Sequence, residues 1–228
     1  GVAAVSTLEV ESVKDLEVIT GTFNAEYGNA MSGVVNAVTK DGSNEFHGSV
    51  NSAYSTYITD NKRNGEKVYI GLDPFGINSN SDFRFNLSGP IIKDRLYFFS
   101  NFRTQGINGH LNGIRRFNVW NLSNFYDQDS SKWYSENTGD SAFVPMNKGN
   151  YSSLMGKVSL DLGNIRLSLM LNNNYSQSRG YSHVYKYNPD GRSYSDANTS
   201  LMMVQLNHFL NEKMFYDIKY SITDNNYG

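Results

Sequence analysis

Apolar and polar residues alternate with a period of two over most of the chain from Glu45 onward. This period is typical of β-strands whose two faces lie in different surroundings. The pattern predicts about seven strands. Their main apolar positions are Val50 and Tyr54; Phe83, Phe85 and Leu87; Leu96, Phe98 and Phe102; Leu154, Val158 and Leu160; Ile165, Leu167, Leu169 and Leu171; Val204 and Leu206; Ile218, Tyr220 and Ile222. Polar residues between them form the opposite face, so the sequence predicts an all-β, antiparallel region.

The connections between these strands are alternately long and short. The long ones fall at 59–80, 105–149 and 177–198, and the short ones at 89–95, 161–164 and 211–213. An up-and-down meander places all its long connections at one end of the sheet and all its tight turns at the other. Transmembrane β-barrels are built in this way. The sequence therefore favours a partial antiparallel up-and-down transmembrane β-barrel.

Two other folds share this pattern. A soluble β-sandwich also alternates, but its apolar face packs inward, whereas the apolar face of a wide barrel meets lipid. A soluble carbohydrate-binding β-sandwich is therefore one alternative, and a small self-contained outer-membrane barrel is another. Periodicity alone does not decide between them.

Composition and charge restrict the function. The 228-residue chain has a net charge of −2 at pH 7, which argues against nucleic-acid binding through phosphate neutralisation. It contains no Cys, so disulfides, thiolate metal sites and a Cys nucleophile are excluded. No apolar run approaches the roughly 18 residues of a transmembrane helix, but a transmembrane strand needs only about 9–11.

Recognisable catalytic motifs are absent from the sequence. The four His residues show no paired metal-ligand spacing, and there is no H-E-x-x-H, G-x-S-x-G or Walker sequence. These patterns carry metal, nucleophile and phosphate chemistry in the enzymes that use them. We therefore predict that the protein is not an enzyme and holds neither a metal nor a cofactor.

The first forty residues do not follow this regular alternation and mix helical with strand signals. They contain "VKDLEVITG" and "AEYGNAMSGVVNAVTK", an order of residues that resembles the end of the plug domain of TonB-dependent outer-membrane receptors. The positions that match the motif are Glu17, Gly21, Tyr27, Gly28, Gly33, Asn36, Thr39 and Lys40. A second stretch, "SGPIIKDRLYFFSNF", is similar to a strand hairpin of the subgroup that carries an N-terminal carboxypeptidase-regulatory-like domain.

The resemblance implies two parts. Residues 1–42 would be the C-terminal part of an α+β plug domain, and residues 43–228 the N-terminal portion of the barrel. Plugged transporters of this kind have about 22 strands, so about seven strands would make the chain a fragment of a longer receptor. Small residues in the motif, such as Gly28 and Gly33, would let the plug backbone run close to the barrel wall.

The resemblance also implies a location and partners. The location is the outer membrane of a Gram-negative bacterium, and the activity is import energised through TonB. The implied partners are the TonB complex, engaged through a region outside this chain, the lipid bilayer, an imported small molecule, glycan or peptide, and a surface lipoprotein. Nucleic acid is not among them.

The longest connection is rich in aromatic residues. Trp120, Phe125, Trp133 and Tyr134 lie within it, and aromatic rings there could stack on a sugar or another flat ligand. The alternative is that these rings pack on one another as the core of a loop. The sequence predicts them as candidate ligand contacts and leaves that alternative open.

Overall fold

The computed structural model describes residues 9–19, 34–72 and 79–228. Within them, β-strands are joined by loops and by single-turn 3-10 helices at Val10–Ser12, Ser130–Lys132, His183–Tyr185 and Pro189–Gly191. The strands are β1 Val13–Ile19, β2 Val34–Thr39, β3 His47–Ser55, β4 Lys62–Arg63, β5 Glu66–Lys67, β6 Asn80–Ile92, β7 Leu96–Asn108, β8 Asn112–Ile114, β9 Ser123–Asn124, β10 Tyr134–Ser135, β11 Phe143–Pro145, β12 Lys148–Asp161, β13 Ile165–Arg179, β14 Ser195–Asn211 and β15 Met214–Tyr227. In this part of the chain, no helix is long and apolar enough to cross a membrane.

Seven long strands form one antiparallel sheet. Their order is β3-β6-β7-β12-β13-β14-β15, so long strands that follow one another in the chain are paired in the sheet. Tight turns join them at one end, and residues 56–72 and the long loops 109–147 and 180–194 lie at the other. The turn between β12 and β13 contains Gly163 at φ +86°, a backbone conformation that favours glycine. The predicted meander with alternating connection lengths is confirmed.

The register of the sheet places apolar side chains opposite one another on one face. Phe102 of β7 pairs with both Phe85 and Leu154, and Leu169 of β13 pairs with both Val158 and Val204. Cross-strand pairs of aromatic and β-branched residues stabilise a sheet. We call this the outer face, and we call the opposite face, which carries Arg84, Arg103 and Lys157, the inner face.

Burial of the two faces is the reverse of that in a soluble protein. On the outer face Leu154 is 54% exposed, whereas on the inner face Asn101 is 1% exposed and Lys157 is 8% exposed. A soluble sandwich would bury its apolar face. The structure therefore excludes the sandwich alternative for this sheet and matches a membrane barrel, in which apolar residues face lipid.

The apolar band of the outer face ends before the strands do. In β13 to β15, Leu171, Met202 and Ile222 form a cross-strand row. The next outward positions toward the long loops are the polar residues Asn173, Ser200 and Asp224. Asn173 donates a hydrogen bond to Ser200 Oγ at 2.8 Å. This change from apolar to polar residues indicates where the strands leave the hydrocarbon region.

Short strand pairs inside the long loops escape the sequence pattern. β4 pairs with β5, β8 with β11 and β9 with β10. Strands of two or three residues are too short to show a period of two, although "NG" between β4 and β5 is a recognised hairpin signal. Asn64 and Gly65 there have φ of 53° and 84°. β6 also runs past Pro90 to Ile92, where the register shifts, because proline is tolerated at a bulge.

A glycine fixes the entry into the first long strand. A Cβ on Gly42 would overlap the carbonyl oxygen of Phe98 and lie 2.9 Å from that of Gly89. Gly42→Ala is therefore expected to destabilise the packing of this segment on the sheet by about 1–3 kcal/mol, the usual range for overpacking. Thermal unfolding of the full-length protein in detergent measures the effect. Gly156→Ala is the matched control, because a Cβ there meets nothing within 4 Å; equal unfolding temperatures for both variants would contradict the prediction.

Candidate functional site

The N-terminal segment lies against the inner face of the sheet. We use this name for residues 9–19 and 34–42, which include the β1-β2 hairpin. Two groups of charged side chains join the segment to the sheet, one to β6, β7 and β12 and the other to β12 and β13. Along β12 the groups are separated by six residues, from Tyr151 to Lys157, or about 20 Å at the rise of a β-strand.

The first group is built around two arginines. Arg84 and Arg103 are direct cross-strand partners on β6 and β7, and like charges in this position repel each other. Asp82 lies on the same face and accepts hydrogen bonds from Arg84 Nη2 at 2.8 Å and Arg103 Nη2 at 2.9 Å. The carboxylate therefore holds the two guanidinium groups together.

The remaining donors of these arginines reach the N-terminal segment. Arg84 Nη1 donates to Glu11 Oε1 at 3.0 Å, and Arg103 Nη1 donates to Glu9 Oε2 at 3.0 Å. Tyr151 adds a third contact by donating to Glu9 Oε1 at 2.6 Å. Charge-assisted hydrogen bonds of this kind are stronger than neutral ones. We call Glu9, Glu11, Asp82, Arg84 and Arg103 the carboxylate–arginine cluster.

The second group is centred on Asp41. Its carboxylate pairs with Lys157 Nζ at 2.8 Å and with Arg166 Nη2 at 3.2 Å. It also accepts a hydrogen bond from Ser159 Oγ at 2.9 Å, and Lys157 Nζ donates to Thr39 Oγ1 at 3.0 Å. We call these residues the Asp41 anchor. They fix the chain where it passes from β2 toward β3.

The predicted plug motif falls partly on this interface. Thr39 is buried and accepts the Lys157 hydrogen bond, whereas the side chain of Lys40 is exposed and its backbone N–H donates to Ser12 O at 2.8 Å. Glu17 and Asn36 are cross-strand partners in β1 and β2. The remaining motif residues lie outside the described part of the chain: Gly21, Tyr27, Gly28 and Gly33.

The charged residues that make the interface were not predicted from the sequence. No sequence pattern distinguishes Glu9, Glu11 and Asp41 from ordinary charged surface residues. The arginines could have been recognised, because Arg84 and Arg103 each occupy an inward strand position directly after an outward-facing Phe. Charged residues facing the inside of a membrane barrel contact either water or other protein groups.

The predicted loop aromatics separate into two places. Phe125 and Trp133 pack edge to face with ring centroids 6.0 Å apart, and Trp133 Nε1 donates to Asp127 O at 2.8 Å. Tyr134 lies beside them in β10, paired with Asn124. Trp120 lies elsewhere, in a cleft, with 73% of its surface exposed. The structure thus groups three of the four rings and leaves Trp120 in a different environment.

An arginine joins loop 109–147 to loop 180–194. Arg115 Nε donates to Asp190 at 2.7 Å and Arg115 Nη1 donates to Asp140 at 2.9 Å. Asp190 raises the pKa of Arg115, and the Ala142 N–H, with Arg115 beside it, holds the pKa of Asp140 below its usual range. Both groups are therefore charged at neutral pH. The ion pairs of Arg115 connect the two loops to each other at the end of the sheet where the long loops lie.

Metal ligands are not gathered anywhere in the described ranges. No group of three or more His, Cys, Asp or Glu side chains there is arranged to hold an ion. Asp127 and Asp129 lie close in the chain, but Asp127 pairs with Lys132 at 3.7 Å and Asp129 accepts from Ser131. Their oxygens serve the local turn.

Comparison with known proteins gives two informative relatives. Over 99 residues, 42% of this chain, it is 41% identical to the TonB-dependent transporter Oar of Myxococcus xanthus. Over 89 residues, 39% of this chain, it is 38% identical to a probable TonB-dependent siderophore receptor, PirA, of Acinetobacter baumannii. The matched stretches span only 9% and 10% of the lengths of those two proteins.

No family model matches the chain, and no solved structure matches it significantly. The two relatives are transporters or receptors by name. Together with the antiparallel all-β sheet, they confirm the predicted class, a β-barrel of the outer membrane of Gram-negative bacteria. The chain is therefore similar to segments of TonB-dependent transporters.

Proposed function

We propose that this chain is a segment of an outer-membrane receptor that binds a substrate outside the cell and imports it with energy supplied through TonB. The observation that carries the proposal is the polar contact between the N-terminal segment and the inner face of an apolar-outside sheet. Glu9, Glu11 and Asp41 all bond to side chains of that face. A plug held inside a barrel would make contacts of this kind.

The boundary between the two parts would lie near Gly42. β2 ends at Thr39 and β3 begins at His47, and residues 40–46 between them contain the Asp41 anchor and the tightly packed Gly42. We therefore propose that residues 1–42 belong to a plug domain and residues 43–228 to the barrel. The resemblance of 88–102 to the subgroup with a carboxypeptidase-regulatory-like domain supports membership of that subgroup.

The edges of the sheet favour a larger barrel over a small self-contained one. Among the described residues, β3 and β15 each pair with one strand of the sheet only. Unpaired strand edges are not tolerated in the hydrocarbon region of a membrane. We propose that further strands, contributed by polypeptide outside this chain, complete the barrel.

Polar contacts suit a plug that must move. Water can replace the hydrogen bonds of half-buried ion pairs such as Arg84–Glu11, which lowers the net cost of separating them. A pull on the plug, transmitted from a TonB complex through a region outside this chain, would then release the N-terminal segment by exchanging these ion pairs for contacts with water. The surrounding bilayer and a surface lipoprotein would be the other partners.

The function is tested by substrate depletion. Cells with the intact receptor, cells lacking its gene and cells lacking TonB are grown on a complex mixture of siderophores, glycans and peptides, and mass spectrometry follows what leaves the medium. We expect the same compounds to remain in the medium of both deletion strains. Loss of uptake in the TonB strain with unchanged uptake in the receptor strain would contradict the proposal.

The loop aromatics give a second test. Replacing both Trp120 and Trp133 with Ala in the full-length receptor is expected to reduce uptake of its substrate, roughly tenfold if each ring contributes about 0.5–1.5 kcal/mol. Initial uptake rates in cells with equal surface amounts of receptor measure the effect. Unchanged uptake would contradict a role in ligand binding for either ring.

A further inference from the structure

The cleft beside Trp120 is large enough to hold a small molecule. Its volume is about 470 Å³, within the range of pockets that hold small ligands. The residues that line it are Arg115, Asn118, Val119, Trp120, Thr138, Asp140 and Asp190. An open aromatic ring thus stands next to a group of polar side chains.

The polar side chains are held in place by one another. Thr138 Oγ1 accepts hydrogen bonds from Asn118 Nδ2 at 3.0 Å and from Asn121 Nδ2 at 2.7 Å. A hydroxyl has two lone pairs and one proton, so Thr138 has its proton left to donate. Arg115 similarly fixes Asp140 and Asp190 by one hydrogen bond each. A ligand would meet groups whose positions are already ordered, which lowers the entropic cost of binding.

The charges of the cleft select the class of ligand. Two carboxylates, Asp140 and Asp190, face one guanidinium, that of Arg115. An anionic ligand would be repelled by the two carboxylates. A cationic ligand would have to displace Arg115, because both carboxylates already pair with its guanidinium. A neutral molecule with many hydroxyl groups suits the site, because its hydroxyls can donate to carboxylate oxygens and accept from Thr138.

From these features we propose that the cleft binds one ring of a neutral carbohydrate. The apolar face of a pyranose ring stacks on Trp120, and its hydroxyl groups hydrogen-bond to Asp140, Asp190 and Thr138. This inference rests on the proposed function and names the substrate class of the receptor, a neutral oligosaccharide.

The test uses the purified full-length receptor in detergent. Isothermal titration measures binding of neutral gluco-, manno-, galacto- and xylo-oligosaccharides. Trp120→Ala is expected to weaken binding roughly tenfold through the lost stacking, and Asp140→Asn about tenfold through the lost charged acceptor. Tyr126→Ala is the matched control, because Tyr126 is an aromatic residue of the same loop, 97% exposed, that does not line the cleft; it should leave binding unchanged.

The outcomes separate this inference from the proposed function. If none of the oligosaccharides binds and the receptor still depletes another compound class through TonB, the carbohydrate inference is wrong and the receptor function stands. Binding that Trp120→Ala leaves intact, or a Trp120-dependent preference for a flat aromatic compound, would also overturn it. Oligosaccharide binding that depends on Trp120, without TonB-dependent uptake, would support the cleft assignment and contradict the import function.

Discussion

Replacing Asp41 with Ala is expected to loosen the N-terminal segment by about 3 kcal/mol, which is the lower end of the range for breaking a buried ion pair. Lys157 is 8% exposed and would lose its carboxylate partner, while keeping only the neutral Thr39 hydroxyl. The lower end applies because Asp41 is 29% exposed and water already reaches it. The cost arises mainly from leaving the lysine charge in a buried position without compensation.

Hydrogen exchange of the β2 amides measures this effect in the full-length receptor. Because exchange reports local opening, about 3 kcal/mol corresponds to a protection factor lower by roughly 100-fold. Asp60→Ala is the matched control: Asp60 forms an exposed pair with Lys62 at 3.6 Å, and such pairs contribute little. Exchange in β2 that is the same for both variants would show that the Asp41 anchor does not hold the segment.

Replacing Arg103 with Leu is expected to free the beginning of the segment. The substitution removes the Arg103–Glu9 hydrogen bond, so that Glu9 keeps the hydrogen bond from Tyr151 on the inner face. It also removes one of the two arginines that hold Asp82. Hydrogen bonds to charged groups are worth about 1.5–3 kcal/mol each. A net loss of about 2 kcal/mol would raise the open population of the segment roughly 30-fold.

Maleimide labelling can follow this opening. The chain contains no Cys. In a full-length receptor whose cysteines elsewhere have been replaced with Ser, Ser12→Cys provides a reporter at a buried position of the segment. The labelling rate should rise with Arg103→Leu and stay unchanged with Arg95→Leu, since Arg95 is exposed in the turn before β7. Arg103→Lys should fall between them, because lysine keeps the charge but not the forked geometry. Equal rates in all variants would mean that the carboxylate–arginine cluster does not restrain the segment.

The two predictions address opposite ends of the interface. The Asp41 anchor lies where the segment joins the first long strand, and the carboxylate–arginine cluster lies about 20 Å away along β12. Loss of the anchor should increase exchange in β2, whereas loss of Arg103 should increase labelling at Ser12. If plug movement begins at one end, the two variants would affect uptake to different extents.

The strands could be predicted because their signal is local. Alternation in Phe83 to Leu87 or Ile165 to Leu171 follows directly from side chains pointing to opposite faces of a strand. The tight turns and long loops were equally visible, since polar and small residues mark them. The short strands β8 and β11 could not be predicted, because a strand of three residues shows no measurable period. Their pairing also joins distant parts of one loop.

The sequence alone therefore determined the β-strands, their apolar outer face and the end of the sheet at which the loops gather. Only the tertiary structure decided which charges meet. Glu9 is 94 residues from Arg103 and 142 from Tyr151, and Thr39 is 118 from Lys157. Those pairings depend on how the N-terminal segment lies across the finished sheet, and no local pattern encodes a contact between residues so far apart. The same reason applies to Trp120, whose cleft is completed by Asp190 of another loop.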